Sequence, residues 1–420
     1  MVSTWNQMGS CRTGPMPQMG DCRTPIRVNA GLERVTTLIL AVAAGLSVAN
    51  VYYAQPLLDA MARDFRISPG AIGLVVTLTQ VGYGLGLILI VPLGDRVDRR
   101  RLVLIQGALS VIALLAVATA EMEAMLFAGM AAVGLLAVVV QVLVAFAATL
   151  ARPAEQGRAI GTVTSGIVAG ILAARFVAGT VADLGGWRAV YLTSAGLTLM
   201  MLGLLALTLP RHPTPDRAGS YAAALRSIPT LFLQDPILLV RGILALLVFA
   251  AFSAFWTAMV LPLSAAPFAY SHTQIGLFGL LGLAGAFAAT AAGRLADRGL
   301  GQWTTGLALV VLLGSWGPIA LLAQSIPLLL VGVVLLDLAV QAVHVTNQSI
   351  LFARHPEARS RLVGGYMVFY AVGSAIGAIG ATTAYAHAGW LGVSGLGAAF
   401  SIIALGVWAS SSSLHRSIQG

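Results

Sequence analysis

Apolar residues run along this chain in long, nearly unbroken blocks with short polar punctuation between them. Twelve blocks of roughly 20 residues are each long enough to cross a bilayer core as a helix. They fall at 35–58, 70–93, 102–120, 124–151, 159–182, 187–209, 237–263, 272–295, 302–322, 327–353, 362–386 and 390–410. Polar alternation within the blocks is weak, which points to helices rather than to the strands of a membrane barrel. The 47 glycines suit such helices, because small residues let backbones approach where lipid gives no hydrophobic drive. The pattern divides the chain into a polar tail at 1–34, six spans over 35–209, a linker at 210–236, six spans over 237–410 and a short tail at 411–420. The linker, PRHPTPDRAGSYAAALRSIPTLFLQDP, is the longest polar stretch between spans, and its middle, 219–228, suits a short surface helix.

Composition agrees with a membrane protein. Hydrophobic residues make up 58% and charged residues 9% of the chain, against about 45–50% and about 25% in soluble domains. The net charge of +9 is no nucleic-acid signal, because its distribution explains it. All 24 basic residues are arginine. When the loops are assigned alternately to two sides, Arg63, Arg66 and Arg188 fall on one, and the loop and tail arginines that remain fall on the other. The positive-inside rule then places both termini in the cytoplasm and the chain in the cytoplasmic membrane. Cys11 and Cys22 lie in the N-terminal tail, inside the near-duplicates QMGSCRT and QMGDCRT, with no disulfide framework or metal-ligand spacing. The tail lacks the apolar core of a signal peptide. It reads as disordered, or as an over-long start with Met8, Met16 or Met19 the initiator.

The chain also repeats itself. An offset of 202 residues carries Asp95-Arg96 onto Asp297-Arg298, Ala151-Arg152 onto Ala353-Arg354 and Glu155 onto Glu357. An offset of 203 carries Ile72-Gly73-Leu74 onto Ile275-Gly276-Leu277, Arg158 onto Arg361, Gly170 onto Gly373 and Gly186-Trp187 onto Gly389-Trp390. Six helices are therefore duplicated about the linker. The expected fold is an all-α membrane protein of twelve transmembrane helices in two pseudo-symmetric six-helix bundles, a recurring transporter plan.

The charge knot GDRVDRRR at 94–101 is part of that repeat, and it carries a family likeness. From Val91 to Arg100 it resembles the loop 2–3 signature of the major facilitator superfamily, with Asp95, Arg96, Arg99 and Arg100 kept and Val91 and Asp98 in place of two glycines. The second copy, GRLADRGLG at 293–301, keeps Gly293, Asp297 and Arg298. NVYYAQPLL at 50–58, SGIVAGILAAR at 165–175 and DLAVQAVHVTNQS at 337–349 are similar to a bacterial drug:proton antiporter branch. The antiporter motif of helix 5 keeps Gly166 and Gly170, but Ile171 stands where the family has proline, and Met130 stands where many proton-coupled members have arginine. The resemblance implies a transporter that works by alternating access. It also implies a gate at Asp95, Arg96, Asp297 and Arg298, with Arg152 and Arg354 as candidate partners in the equivalent loops 4–5 and 10–11.

The chemistry of the spans concentrates on one residue. Asp337 is the sole acid deep inside a predicted span, near the middle of span 10. A charge there costs at least ~2.5–3.5 kcal/mol, so such residues face a cavity or a partner. Gln341, His344 and Gln348 follow it within an arc of roughly 60° at about 100° per residue, which makes one narrow polar stripe. Asp337 is the candidate proton-coupling acid and His344 its relay; the bland alternative is a polar network that glues helices. Arg175 in span 5 is a countercharge for Asp337 or for an anionic substrate, or else it snorkels to the interface. Asn50, Tyr53 and Gln55, Gln80, Gln141, and Ser253, Trp256 and Thr257 are candidates for the same cavity.

The expected function is secondary active transport of a small organic molecule, most naturally proton-coupled efflux, by a monomer in contact with membrane lipid and without nucleic acid, metal or cofactor. An importer or facilitator on the same fold remains open, as does a non-transporting sensor or scaffold. An enzyme is not expected. With no lysine there is no Walker A lysine and no Schiff base, and neither His-Glu-x-x-His nor Gly-x-Ser-x-Gly occurs.

Overall fold

A computed structural model describes residues 30–152, 155–210, 220–354 and 359–419. The tail over 1–29, with Cys11 and Cys22, and the linker stretch 211–219 lie outside the described residues, as does the side chain of Asp95. Nine helical stretches among the described residues are long and apolar enough to cross a membrane. Three of them, Gln156–Thr208, His272–Ala320 and Arg361–Ser411, have 53, 49 and 51 residues, enough for two crossings each.

Each long stretch is broken by a glycine in the left-handed region, Gly186 (φ 79°), Gly299 (φ 79°) and Gly389 (φ 60°). Glycine alone holds such angles without strain. The chain reverses at the first of these breaks. Arg188 meets Asp64 and the Ala120 carbonyl at one end of the bundle, while Ala206 returns to Arg100 at the other. Counting the three long stretches twice gives the twelve crossings that the apolar pattern predicts. Gly186 and Gly389 are also repeat mates, so the same backbone break recurs 203 residues on.

The helices are α1 (Ala30–Tyr52), α2 (Leu58–Phe65), α3 (Leu74–Leu89), α4 (Arg99–Ala118), α5 (Glu123–Ala137), α6 (Val139–Leu150), α7 (Gln156–Thr208), α8 (Tyr221–Gln234), α9 (Pro236–Ala258), α10 (Val260–Ser264), α11 (His272–Leu277), α12 (Leu283–Leu295), α13 (Gly301–Ala320), α14 (Ile326–Arg354) and α15 (Arg359–Gln419). Two differ from expectation. The first span does not end at 58: α1 stops at Tyr52, a 3₁₀ turn with Pro56 follows, and helix resumes to Phe65. Proline has no N–H for the helical ladder, which is why the break falls there. The linker helix runs to Gln234 rather than to 228, because buried Phe232 packs on Phe369 with ring centroids 5.5 Å apart.

Close packing uses the repeated glycines. A Cβ on Gly166 or Gly170 of α7 would collide with the Ala41 or Gly45 carbonyl of α1. At the repeat mate of Gly170, a Cβ on Gly373 of α15 would collide with the Leu246 carbonyl of α9, and one turn on a Cβ on Gly377 would collide with the Ala250 carbonyl. Backbone therefore lies on backbone at equivalent places in both halves.

Candidate substrate and gating site

The two halves meet tightly at one end. The end with the 94–101 loop, α8 and Arg354 is called the base here, and the opposite end the top. Toward the top, Thr77 of α3 donates to the Ala375 carbonyl of α15 at 3.0 Å, and Thr382 of α15 donates to the Gly70 carbonyl at 3.0 Å. Gly276 of α11 packs on the Arg175 backbone of α7, and Gly179 of α7 on the His272 carbonyl. Toward the base, Gly157 and Gly161 of α7 have nothing within 4 Å of a Cβ position. The interface is thus closed at the top, where the contacts between the halves concentrate.

A charged junction locks the top, and the sequence reading missed it. His272, first residue of α11, places Nε2 3.0 Å from Asp59 Oδ1 and Nδ1 3.1 Å from Asp183 Oδ1. Asp183 also accepts the backbone N–H groups of His272 (3.0 Å) and Thr273 (2.8 Å). Asp59 and Asp183 belong to the first half and His272 to the second, so the junction spans the interface. Because the carboxylates flank opposite ring nitrogens, they do not converge on one point. Among the described residues no group of three or more His, Cys, Asp or Glu is arranged to hold a metal ion.

Beneath this closure lies Asp337, 4% exposed, in the middle of α14. Trp256 of α9 donates Nε1 to its Oδ1 at 3.3 Å. The face of the same indole lies 4.1 Å from the guanidinium carbon of Arg175, across the interface. Tyr52 at 5.0 Å and Phe252 at 5.9 Å complete an aromatic surround. Arg175 is 3% exposed and donates Nε to Gln55 at 2.8 Å, so it does not snorkel. Its Nη2 is buried without a partner. Arg175 and Asp337 form no direct ion pair; Trp256 connects them. Cation and carboxylate from opposite halves are thus held apart by an aromatic spacer, and a charge change at either alters what Trp256 must satisfy.

The polar stripe continues toward the base. Gln341 packs against Gly285 of α12. His344 Nδ1 lies 3.1 Å from the Tyr366 hydroxyl and its Nε2 lies 3.4 Å from Gln348 Nε2. His344 therefore has its own partners and does not touch Asp337. Beside it run Phe249, Tyr370 and Tyr52. The Tyr52 and Tyr370 hydroxyls meet across the interface at 2.7 Å. Below the stripe, Arg241 is 1% exposed and held by neutral acceptors alone, Thr305 Oγ1 at 2.9 Å, Asn347 Oδ1 at 3.1 Å and Gln302 Oε1.

Other expected residues are dispersed. Asn50 and Tyr53 do not share the Asp337 region: Asn50 accepts from Ser194 at 2.5 Å, inside the first bundle, and Tyr53 lies buried near the same serine. Gln55, expected there too, does reach Arg175, and Tyr52, about 200° from Asn50 on the same helix, meets Tyr370. Gln80 is buried with Oε1 unpartnered, and Gln141 reaches the Tyr83 hydroxyl at 3.5 Å. Ser253 and Thr257 are buried on α9 with unpartnered hydroxyls.

At the base, Arg354 does not pair with the 296–300 loop; its guanidinium pairs with Asp235, which caps α9 through the Ile237 N–H at 2.9 Å. That carboxylate lies at the end of the linker, just before α9. Asp297 and Arg298 are exposed on the loop. Arg96 lies 5.9 Å over the Tyr221 ring of the linker helix. Two arginines of the 94–101 knot brace their own half: Arg99 donates to the Gly94 (3.0 Å) and Ala145 (3.2 Å) carbonyls, and Arg100 to the Ala206 carbonyl at 2.6 Å.

This architecture has known relatives. The sequence profile of the Major Facilitator Superfamily matches residues 40–317 and 241–415. The uncharacterized transporter YgaY of Escherichia coli O157:H7 is 43% identical over 380 residues, 90% of this chain and 96% of that protein. Multidrug resistance protein D of Escherichia coli K12 is 29% identical over 240 residues, 54% of this chain and 58% of that protein. Among solved structures, an inward-facing, unoccupied bacterial homologue of the human lysosomal transporter Spinster superposes with a TM-score of 0.74 at 15% identity, over 91% of this chain and 97% of that one. With the profile spanning nearly all twelve crossings, the chain belongs to the Major Facilitator Superfamily and is a membrane transporter.

Proposed function

We propose that the protein is a proton-coupled exporter that moves a small organic molecule across the cytoplasmic membrane by alternating access, with Asp337 as the coupling acid. One observation carries this reading: a buried carboxyl with no cation in direct contact, on one half, shares Trp256 with a buried arginine of the other half. A carboxyl so placed is costly to ionise without help. It either holds a proton or draws Arg175 and the indole toward itself. Movement of the halves changes which of these wins, and a bound substrate competes for the same groups. The aromatic surround of Tyr52, Phe252 and Trp256 favours organic solutes that combine a ring with a polar or charged group. Gln341 and Gln348 extend the polar wall, and His344, about 10 Å toward the base at 1.5 Å per residue, relays the proton onward.

The arginine asymmetry supports a cytoplasmic base, and the arrangement described is then inward-facing. In the opposite state the base closes, and Asp95, Arg96, Asp297 and Arg298, with Arg152 and Arg354, become the gate. The likeness to a protein named for multidrug resistance supports export over import. The test is substrate-induced proton movement in liposomes containing the purified chain, screened over nucleosides, sugars and lipophilic cations. Export coupled to protons predicts proton flux opposite to substrate flux. Substrate flux that ignores an imposed proton gradient contradicts it and points to a facilitator.

A further inference from the structure

A second basic cluster lies at the base, away from the gate. Ser220, Arg226, Thr230, Gln234 and Arg361 line a recess of about 540 Å³ between α8 and the first turn of α15. Among the described residues, no lining residue is acidic. Arg226 and Arg361 are both exposed, and among the described residues neither guanidinium has a partner. Arg354 differs, because Asp235 neutralises it. Two unpaired guanidinium groups on one recess repel each other, and an anion between them relieves that repulsion. Ser220 sits at the N-cap of α8 without making a capping bond, which leaves its hydroxyl beside the partly positive end of a 14-residue helix.

The recess adjoins the start of two membrane helices. Its one wall, α8, passes directly into the membrane helix α9 at Pro236; the other wall starts the membrane helix α15. Leu231 lines the recess, and Leu233 beside it is 72% exposed. A free inorganic anion has no use for such an apolar flank, whereas an acyl chain does. Arginine matches phosphate geometry with paired N–H donors, and a hydroxyl and an amide stand ready to complete the shell.

We propose that this recess binds the phosphate of an anionic phospholipid headgroup, of the phosphatidylglycerol class. The same helix is tied to both halves: the Tyr221 hydroxyl donates to the Leu89 carbonyl at 2.5 Å, and Phe232 packs on Phe369 of α15. A lipid seated there therefore contacts an element that touches both halves at the base.

Native mass spectrometry of the full chain tests this by counting adducts of phosphatidylglycerol and phosphatidylcholine. Phosphatidylglycerol should bind in preference to phosphatidylcholine. Arg226→Gln and Arg361→Gln should each weaken it roughly fivefold, and the pair roughly thirtyfold, as expected for about one basic contact each. A control pair elsewhere at the base, Arg101→Gln with Arg294→Gln, should change it little. Arg226 and Arg361 have no partner to lose among the described residues, and unchanged melting in phosphatidylcholine confirms folding; if the double variant does not insert, the single variants decide. Equal weakening by the control pair, or no weakening by either single variant, overturns the site. Displacement of the lipid by equimolar inorganic phosphate overturns the lipid assignment, since a free anion would then be the occupant.

Discussion

Trp256 Nε1 donates to Asp337 Oδ1 at 3.3 Å, and the same indole presents its face to Arg175 at 4.1 Å. The ring is therefore shared between a carboxyl on one half of the molecule and a cation on the other. Trp256→Phe separates the two contacts, since it keeps an aromatic face and removes the N–H. The expected result is a loss of roughly fivefold in uphill transport, the size of a hydrogen bond worth about 1 kcal/mol. Trp256→Ala should lose more, because the cation–π contact goes as well. If Trp256→Phe transports like the parent chain, the bond to Asp337 has no part in transport.

The His272 junction should set the balance between the two states. His272→Ala removes contacts to Asp59 and Asp183 that tie the halves at the top. A charge-assisted bond worth about 1.5–3 kcal/mol shifts a two-state ratio by roughly tenfold or more. Spin labels at Glu121→Cys and Ala323→Cys, on top loops of opposite halves in a chain with Cys11 and Cys22 replaced by serine, should report a longer distance component in His272→Ala. Identical distance distributions would show that helix packing alone closes the top.

The repeated glycines give a paired stability prediction. Gly170→Ala and Gly373→Ala each force a Cβ into a facing backbone, and overpacking of this kind costs about 1–3 kcal/mol. Both should lower the melting temperature in detergent by similar amounts. Gly161→Ala meets nothing within 4 Å and should leave it unchanged or raise it. A fall for Gly161→Ala as large as the others would contradict the free space at that position.

Orientation is checked through the native thiols. With a cytoplasmic base, a membrane-impermeant maleimide should label Cys11 and Cys22 only after cells are permeabilised. Labelling of intact cells would reverse the assigned direction of every step.

Parts of this were legible in the chain. Twelve apolar blocks and the 203-residue echo of Gly186 in Gly389 are properties of local composition, and burial could not hide them. Asp337 stood out because a lone acid in a long apolar run has few structural excuses. What failed were relations across the interface. Tyr52 and Tyr370, 318 positions apart, meet hydroxyl to hydroxyl, and no local pattern announces it. Asn50 bonds inside the first bundle while Tyr52, two residues on, takes the interface, because each residue of phase turns a helix by about 100°. Arg241 lies inside a span like Arg175, but nothing local assigns it a role, because its partners Thr305 and Asn347 are neutral and distant in sequence. A His272 signal did exist, in an imidazole at the first residue of a predicted span, but its acidic partners lie on two other helices.

Asp337→Asn tests the coupling proposal most directly, in proteoliposomes that report counterflow and proton-driven transport side by side. The amide mimics the protonated carboxyl and can keep a polar contact with Trp256. Counterflow should persist, while accumulation against a substrate gradient should fall at least tenfold, a loss of about 1.4 kcal/mol or more. Full uphill transport by Asp337→Asn would contradict the proposal, place the coupling group elsewhere and leave Asp337 a structural partner of Trp256.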